Sequence, residues 1–214
     1  RYFKAVLLLV FLLGVESAPA QGTTAVTTEH ATVTLLAEGS QAAPGQTLWL
    51  GLNFELIPDW HVYWRNPGAS GTAPAIRWTL PDEWSAGEIQ WPVPKRIRVG
   101  PLTNYGYEDS VTLLVPVQVP EGPLPAGPLI ISADADWLVC RVECIPETGR
   151  FRLQINATVA DPSPQAAPDP SGLFATARAR WPQADNIAGR YRLDGERIEI
   201  AVPRLGLDED AVAD

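Results

Sequence analysis

The sequence has no methionine, two cysteines and two histidines in 214 residues. So few thiols and imidazoles cannot build an ordinary four-ligand zinc site without carboxylates. They also exclude a miniprotein stapled by several disulfides. Basic residues are scarce: 16 Lys and Arg stand against 25 Asp and Glu, a net charge of −9. A chain this acidic is a poor candidate for nucleic acid or an anionic lipid surface. No Gly-rich phosphate loop is present, and no further Cys/His arrangement suggests a hydrolase. With no initiator methionine, residue 1 is read as an internal position of a longer chain.

Turn-forming residues, by contrast, are plentiful. The chain has 21 prolines and 17 glycines while 46% of its residues are hydrophobic. That balance excludes a disordered chain and fits strands joined by turns. At the N-terminus, Arg1 and Lys4 precede an apolar run over residues 5–15. Ala18-Pro19-Ala20 follows, so residues 1–20 read as a secretory signal peptide. The run is short for a membrane span. Removing Arg1, Lys4 and Glu16 would take the 16 basic and 25 acidic residues to 14 and 24, a net charge of −10. Export would place both cysteines where disulfides persist.

Period-two patterning marks strands over residues 30–38 and 48–56. In the second, Leu48, Leu50, Leu52, Phe54 and Leu56 alternate with Trp49, Gly51, Asn53 and Glu55. Shorter candidates cover 76–80 and 88–91, and longer ones 111–119, 129–136 and 150–159. Pro116 argues for an edge or a bulge in its strand. No segment before residue 160 shows a helical period with caps. The pattern predicts an all-β fold, an immunoglobulin-like antiparallel β-sandwich over residues 21–160. Residues 161–170 read as a Pro/Ala-rich linker. Residues 171–214 read as the truncated start of a second small domain, with a short helix over 173–181 and a hairpin around Asp194-Gly195.

Cys140 and Cys144 carry the chemistry. On a straight strand their Cα atoms would lie about 13 Å apart, beyond disulfide reach. A tight hairpin or one helical turn would bring them within about 6 Å. Closing five residues removes little unfolded-state entropy, about 2 kcal/mol, so stability alone is a weak reason for such a bond. Arg141 beside Cys140 favours a thiolate and Glu143 beside Cys144 disfavours one. Three readings stay open: a redox-active pair, a structural disulfide, and a Cu(I) site with His30 or His61 as a third ligand. Asp134 and Asp136 alternate on one strand face. They read first as solvated residues and second, being close to Cys140, as candidates for proton handling. Trp60, Tyr63 and Trp64 cluster, and core packing is favoured over a binding surface. His61 reads as structural or solvent-exposed.

Several stretches together resemble the periplasmic N-terminal region of the DsbD/ScsB family of thiol:disulfide interchange proteins. They are Trp60-His61-Val62-Tyr63-Trp64-Arg65-Asn66-Pro67-Gly68, Ile89-Gln90-Trp91-Pro92-Val93-Pro94 and Tyr105-Gly106-Tyr107-Glu108. The most specific is Ala135-Asp136-Trp137-Leu138-Val139-Cys140 through Cys144-Ile145-Pro146-Glu147. The resemblance covers about residues 28–160. It implies an immunoglobulin-like domain whose Cys140/Cys144 pair passes electrons, without a diffusible cofactor or metal, from a membrane-embedded domain of the same polypeptide to periplasmic thioredoxin-fold isomerases or reductases. It also implies an aromatic shielding loop, which Asn104-Tyr105-Gly106 matches by position, with Tyr105 as the cap residue. The better-studied DsbD branch has a wider cysteine spacing, so C-x3-C points to the ScsB-like branch. By the same resemblance, transmembrane helices and a thioredoxin-like domain would follow residue 214.

Overall fold

The computed structural model describes residues 24–125, 127–157, 172–183, 190–195 and 197–201. The expected signal peptide and the 161–170 linker lie outside them. In chain order the strands are β1 (Ala25–Thr27), β2 (Ala31–Ala37), β3 (Gln41–Ala42), β4 (Thr47–Leu56), β5 (His61–Gly68), β6 (Ala75–Thr79) and β7 (Ser85–Ala86). They continue with β8 (Lys95–Val99), β9 (Leu102–Glu108), β10 (Ser110–Gln118), β11 (Pro128–Cys140) and β12 (Cys144–Ala157). Helix α1 (Leu173–Ala179) and the hairpin β13 (Arg190–Asp194) and β14 (Arg197–Ala201) follow. The fold is the all-β, antiparallel, immunoglobulin-like sandwich that the patterning predicts.

One sheet runs β1-β2-β4-β10-β7. The other runs β3-β12-β11-β5-β9-β8, with β6 beside β11. Among the described strands, only the short β3 pairs in parallel, with β12. Alternation along β4 sends Leu48, Leu50, Leu52 and Phe54 inward, where all four are buried. Val33, Leu35, Val111 and Leu113 join them from neighbouring strands and meet Val62, Ala133, Ala135, Trp137, Val139 and Phe151 of the facing sheet. Trp137 stands edge-on to Phe54, with ring centroids 5.5 Å apart. Such aromatic pairs add about 1 kcal/mol to the area they bury.

Pro116 lies next to the sheet edge. β10 is flanked outside only by the two-residue β7, and the Pro116 carbonyl accepts the Gly87 N–H at 2.7 Å. The missing Pro116 N–H thus interrupts little of the ladder. The segment 88–91, expected as a strand, makes a single bridge from Gln90 to Leu114. β5, β8 and β9 were absent from the expected set. β5 carries a register irregularity between Tyr63 and Gly68, and β8 has only Ile97 buried, so neither shows clean alternation.

Strands β11 and β12 form one hairpin of thirteen and fourteen residues. Both extend beyond the expected 129–136 and 150–159 to end on the two cysteines. The missed part of β12 breaks the hydrophobic alternation: its buried positions are Glu147 and Gly149, and Pro146 stands between Ile145 and Glu147.

Candidate functional site

The hairpin decides how the cysteines meet. Its antiparallel register runs from Pro128 opposite Asn156 to Cys140 opposite Cys144, the last pair of the ladder. Three residues, Arg141, Val142 and Glu143, close the turn, with the Arg141 N–H donating to the Glu143 carbonyl at 3.2 Å. The Cα atoms lie 4.2 Å apart and the sulfurs are joined. That separation matches the close, non-hydrogen-bonded type of antiparallel pair, about 4.5 Å. A spacing that a straight strand would forbid is satisfied by the turn.

The two sulfurs have unequal surroundings. Cys140 is 2% exposed, whereas Cys144 is exposed at the start of β12. Val142 at the turn is 85% exposed. On the inner side, Cys140 pairs with His61 of β5 and Val139 with Val62. His61 is buried rather than solvent-exposed, and its Nε2 has no hydrogen-bond partner. Burial lowers its pKa below the usual histidine value, partly opposed by the carboxylate of Glu108, so the ring is neutral at neutral pH.

Tyr63, next on the same face of β5, reaches the disulfide. Its hydroxyl donates to Cys144 Sγ at 3.3 Å. The ring is 1% exposed and lies edge-on to His61 at 5.2 Å. Above it passes a turn that begins at Gly68, which has φ +88°. Gly71 in that turn also has φ +88°, and a Cβ there would come within 2.1 Å of the Tyr63 ring. Only glycine permits both that backbone and that approach. Burial raises the pKa of Tyr63, and a hydrogen bond from the Ser70 side chain acts against the rise.

A second polar cluster anchors the hairpin near its tip. Glu147, opposite Trp137, is buried and accepts three hydrogen bonds: from Thr28 Oγ1 at 2.6 Å, His30 Nδ1 at 2.9 Å and Trp137 Nε1 at 3.1 Å. His30 stacks against Trp60 at 3.9 Å, and the Arg141 guanidinium lies 5.6 Å from the centroid of the Trp60 ring. The cysteine turn is thereby joined to the β1–β2 connection of the facing sheet.

The other sequence candidates fall elsewhere. Tyr105 lies on β9, 36% exposed, with its ring against Trp64 at 6.4 Å. Among the described contacts, the aromatic group on the disulfide is Tyr63. Asn104 is buried and serves the turn: its Oδ1 accepts from Ser70 N at 3.0 Å and its Nδ2 donates to Ser70 Oγ at 3.0 Å. Asp136 and Asp134 stand on the solvent face, paired with Arg77 and Arg150. The Arg77 hydrogen bond holds Asp136 below the usual carboxylate range, which makes it a poor proton acceptor. Along β11 it is four residues, about 13 Å, from Cys140. Among the described residues no cluster of three or more His, Cys, Asp or Glu could hold a metal ion.

Sequence reasoning missed Tyr63, Ser70, Gly71 and Glu147 as parts of this neighbourhood. A signal existed for Glu147 in its place three residues after Cys144. Tyr63 was visible only as one aromatic among several.

This geometry can be set beside known proteins. The family described as "Thiol:disulfide interchange protein DsbD, N-terminal" matches residues 32–156, more than half of the chain. The chain belongs to the DsbD N-terminal family. The matched span runs from β2 to β12 and contains both cysteines of this DsbD-type domain. The N-terminal periplasmic domain of ScsB from Proteus mirabilis is similar in structure, with a TM-score of 0.61 at 22% identity, over 86% of this chain and 69% of that one. The reduced DsbD N-terminal domain of Neisseria meningitidis aligns at 12% identity over 58% of this chain and 85% of that one, with a TM-score of 0.34, too low to weigh. No curated protein matches in sequence. Among the described residues, no helix is long and apolar enough to cross a membrane.

Proposed function

We propose that the domain is a periplasmic protein-disulfide reductase module that exchanges electrons through Cys140 and Cys144. The observation that carries the reading is the unequal exposure of two joined sulfurs at the tip of a long, packed hairpin. In the reduced form, the exposed Cys144 thiolate attacks a partner disulfide. A Cys144–partner bond forms and the partner's other sulfur leaves as a thiolate. The buried Cys140, deprotonated in turn, attacks Cys144 Sγ. This closes Cys140–Cys144 and releases the partner's second thiolate. Two electrons pass to the partner, and two protons follow to the released thiolates or to solvent.

Membership of the DsbD N-terminal family supports thioredoxin-fold proteins as partners. It also supports a membrane-embedded domain of the full-length protein as the dithiol donor that restores Cys140 and Cys144. The same membership supports an exported, periplasmic location with a tether to the inner membrane. Tyr105 remains a shielding residue in this reading only at the outer rim, through Trp64. Asp134 and Asp136 serve the surface of the sheet rather than the proton inventory.

A redox titration against a defined thiol–disulfide buffer tests the reading. An exchanging pair has a reduction potential above about −300 mV, whereas a purely structural bond lies below it. A value below that mark would assign the bond to stability and overturn the proposal.

A further inference from the structure

Within the exchange reading, we propose that Tyr63 is a catalytic residue that sets the charge state of Cys144, and that Ser70 and Asn104 position it. Four groups form a line. Asn104 Nδ2 donates to Ser70 Oγ at 3.0 Å, the Ser70 side chain hydrogen-bonds the Tyr63 hydroxyl, and that hydroxyl donates to Cys144 Sγ at 3.3 Å. The line crosses three separate pieces of chain, so its members are brought together only by the fold. The Ala69 N–H donates to the Thr103 carbonyl at 3.0 Å and the Ser70 N–H to Asn104 Oδ1, which pins the turn to β9. Gly71 presses on the ring from above. Tyr63 therefore has little freedom to swing away from the sulfur.

A neutral disulfide sulfur gains little from such a donor. A thiolate gains much more, because a hydrogen bond to a charged acceptor is the stronger kind. When Cys140–Cys144 is reduced, the buried hydroxyl that touches Cys144 stabilises the anionic form of that sulfur and not of Cys140. The other titratable groups here leave the task to Tyr63. His61 is neutral, Glu143 beside Cys144 opposes a thiolate, and Arg141 lies over Trp60. Burial keeps the Tyr63 proton on its oxygen, so it acts as a donor throughout.

The test is the rate of alkylation of Cys144 by iodoacetamide as a function of pH. It is run on the full chain with Cys140→Ser, so that one thiol remains. Tyr63→Phe keeps the ring under Gly71 and removes one oxygen. Losing the hydrogen bond should move the thiolate midpoint to a pH about one unit higher. Nucleophilicity rises with thiol pKa with a coefficient of about 0.4–0.5. The variant should then react about threefold slower than its parent below both midpoints and about threefold faster above them. Ser70→Ala should move the curve in the same direction by less, and Ser70→Thr should restore it. A merely structural role would scale the rate equally at every pH. Superimposed curves, or a uniform loss, would overturn the proposal. Thiolate ultraviolet absorbance gives the same midpoint without an alkylating agent. Alkylation needs no protein partner, so the two readings fail separately. Crossing curves with no mixed disulfide would overturn the exchange reading, and coincident curves in an exchange-competent protein would overturn the role of Tyr63.

Discussion

At the scale of single residues, the cysteines depend on groups far from them in sequence. Glu147 takes hydrogen bonds from Thr28 and His30, 119 and 117 positions away, and Tyr63 touches Cys144 across 81. Replacing Glu147 with Ala would leave two buried donors, His30 Nδ1 and Trp137 Nε1, without their acceptor, while Thr28 Oγ1 keeps the Ala31 carbonyl. The expected cost is about 3 kcal/mol, read as a lower urea midpoint. Glu147→Gln, which keeps an acceptor oxygen, should lose less. His61 gives a pH signature. Its pKa in the folded protein lies below the unfolded value of about 6.5. The unfolded state therefore binds the proton more readily, and the contribution of His61 to stability is present above about pH 6.5 and is lost as pH falls below it. The difference in unfolding free energy between wild type and His61→Phe should shrink or reverse on acidification from pH 7 to 5. A pH-independent difference would show that His61 is not buried neutral. The cysteine pair was legible at this scale, because C-x3-C stands out in a chain with no other thiol. Its hydrogen-bond partners were not, since nothing in a linear sequence marks residues that only a sheet register brings together.

Among the elements, the β11–β12 hairpin carries the site. Alternation showed its core half: Leu129, Ile131, Ala133 and Ala135 face inward. Its far half was hidden because a carboxylate and a glycine, Glu147 and Gly149, take buried positions there and Pro146 interrupts the run. β5 was read as an aromatic cluster because the irregularity after Tyr63 breaks its period. The favoured packing role holds for Trp60, which joins the core, whereas Tyr63 lies buried against the disulfide. Thirteen register pairs join β11 to β12, and the disulfide is only the last of them. Reduction should therefore cost about 2 kcal/mol, the entropy of a five-residue loop, and leave the sandwich folded. Near-ultraviolet circular dichroism in the presence of dithiothreitol should be retained. Loss of the native signal would mean that the bond is structural. Gly71→Ala should act on the site without touching a sulfur, since its Cβ would overlap the Tyr63 ring and its backbone is left-handed.

For the whole molecule, the sandwich and its Gly/Pro-rich turns were readable from composition and period. The outer face of β4 and β10 was harder. Gly51 and Leu114 look like interruptions of a polar face until α1 is placed on them. Phe174 of α1 packs against Leu114, and a Cβ on Gly51 would meet its ring at 3.2 Å. Arg178 pairs with Glu38 and lies over Trp49. A seven-residue helix is too short to persist alone, so α1 is held by this docking. Phe174→Ala should destabilise the chain by about 3 kcal/mol and release α1, seen as fast amide exchange over residues 173–179.

The central claim, that Cys144 is the sulfur that meets the partner and Cys140 the one that resolves, is tested most directly by trapping. Each serine variant, Cys140→Ser and Cys144→Ser, is incubated with an oxidised thioredoxin-fold protein, and mixed disulfides are resolved on a non-reducing gel. The account predicts a stable adduct with Cys140→Ser, which keeps the exposed thiol, and little or none with Cys144→Ser, whose remaining thiol is 2% exposed. An adduct with Cys144→Ser alone, or with neither variant, would contradict it.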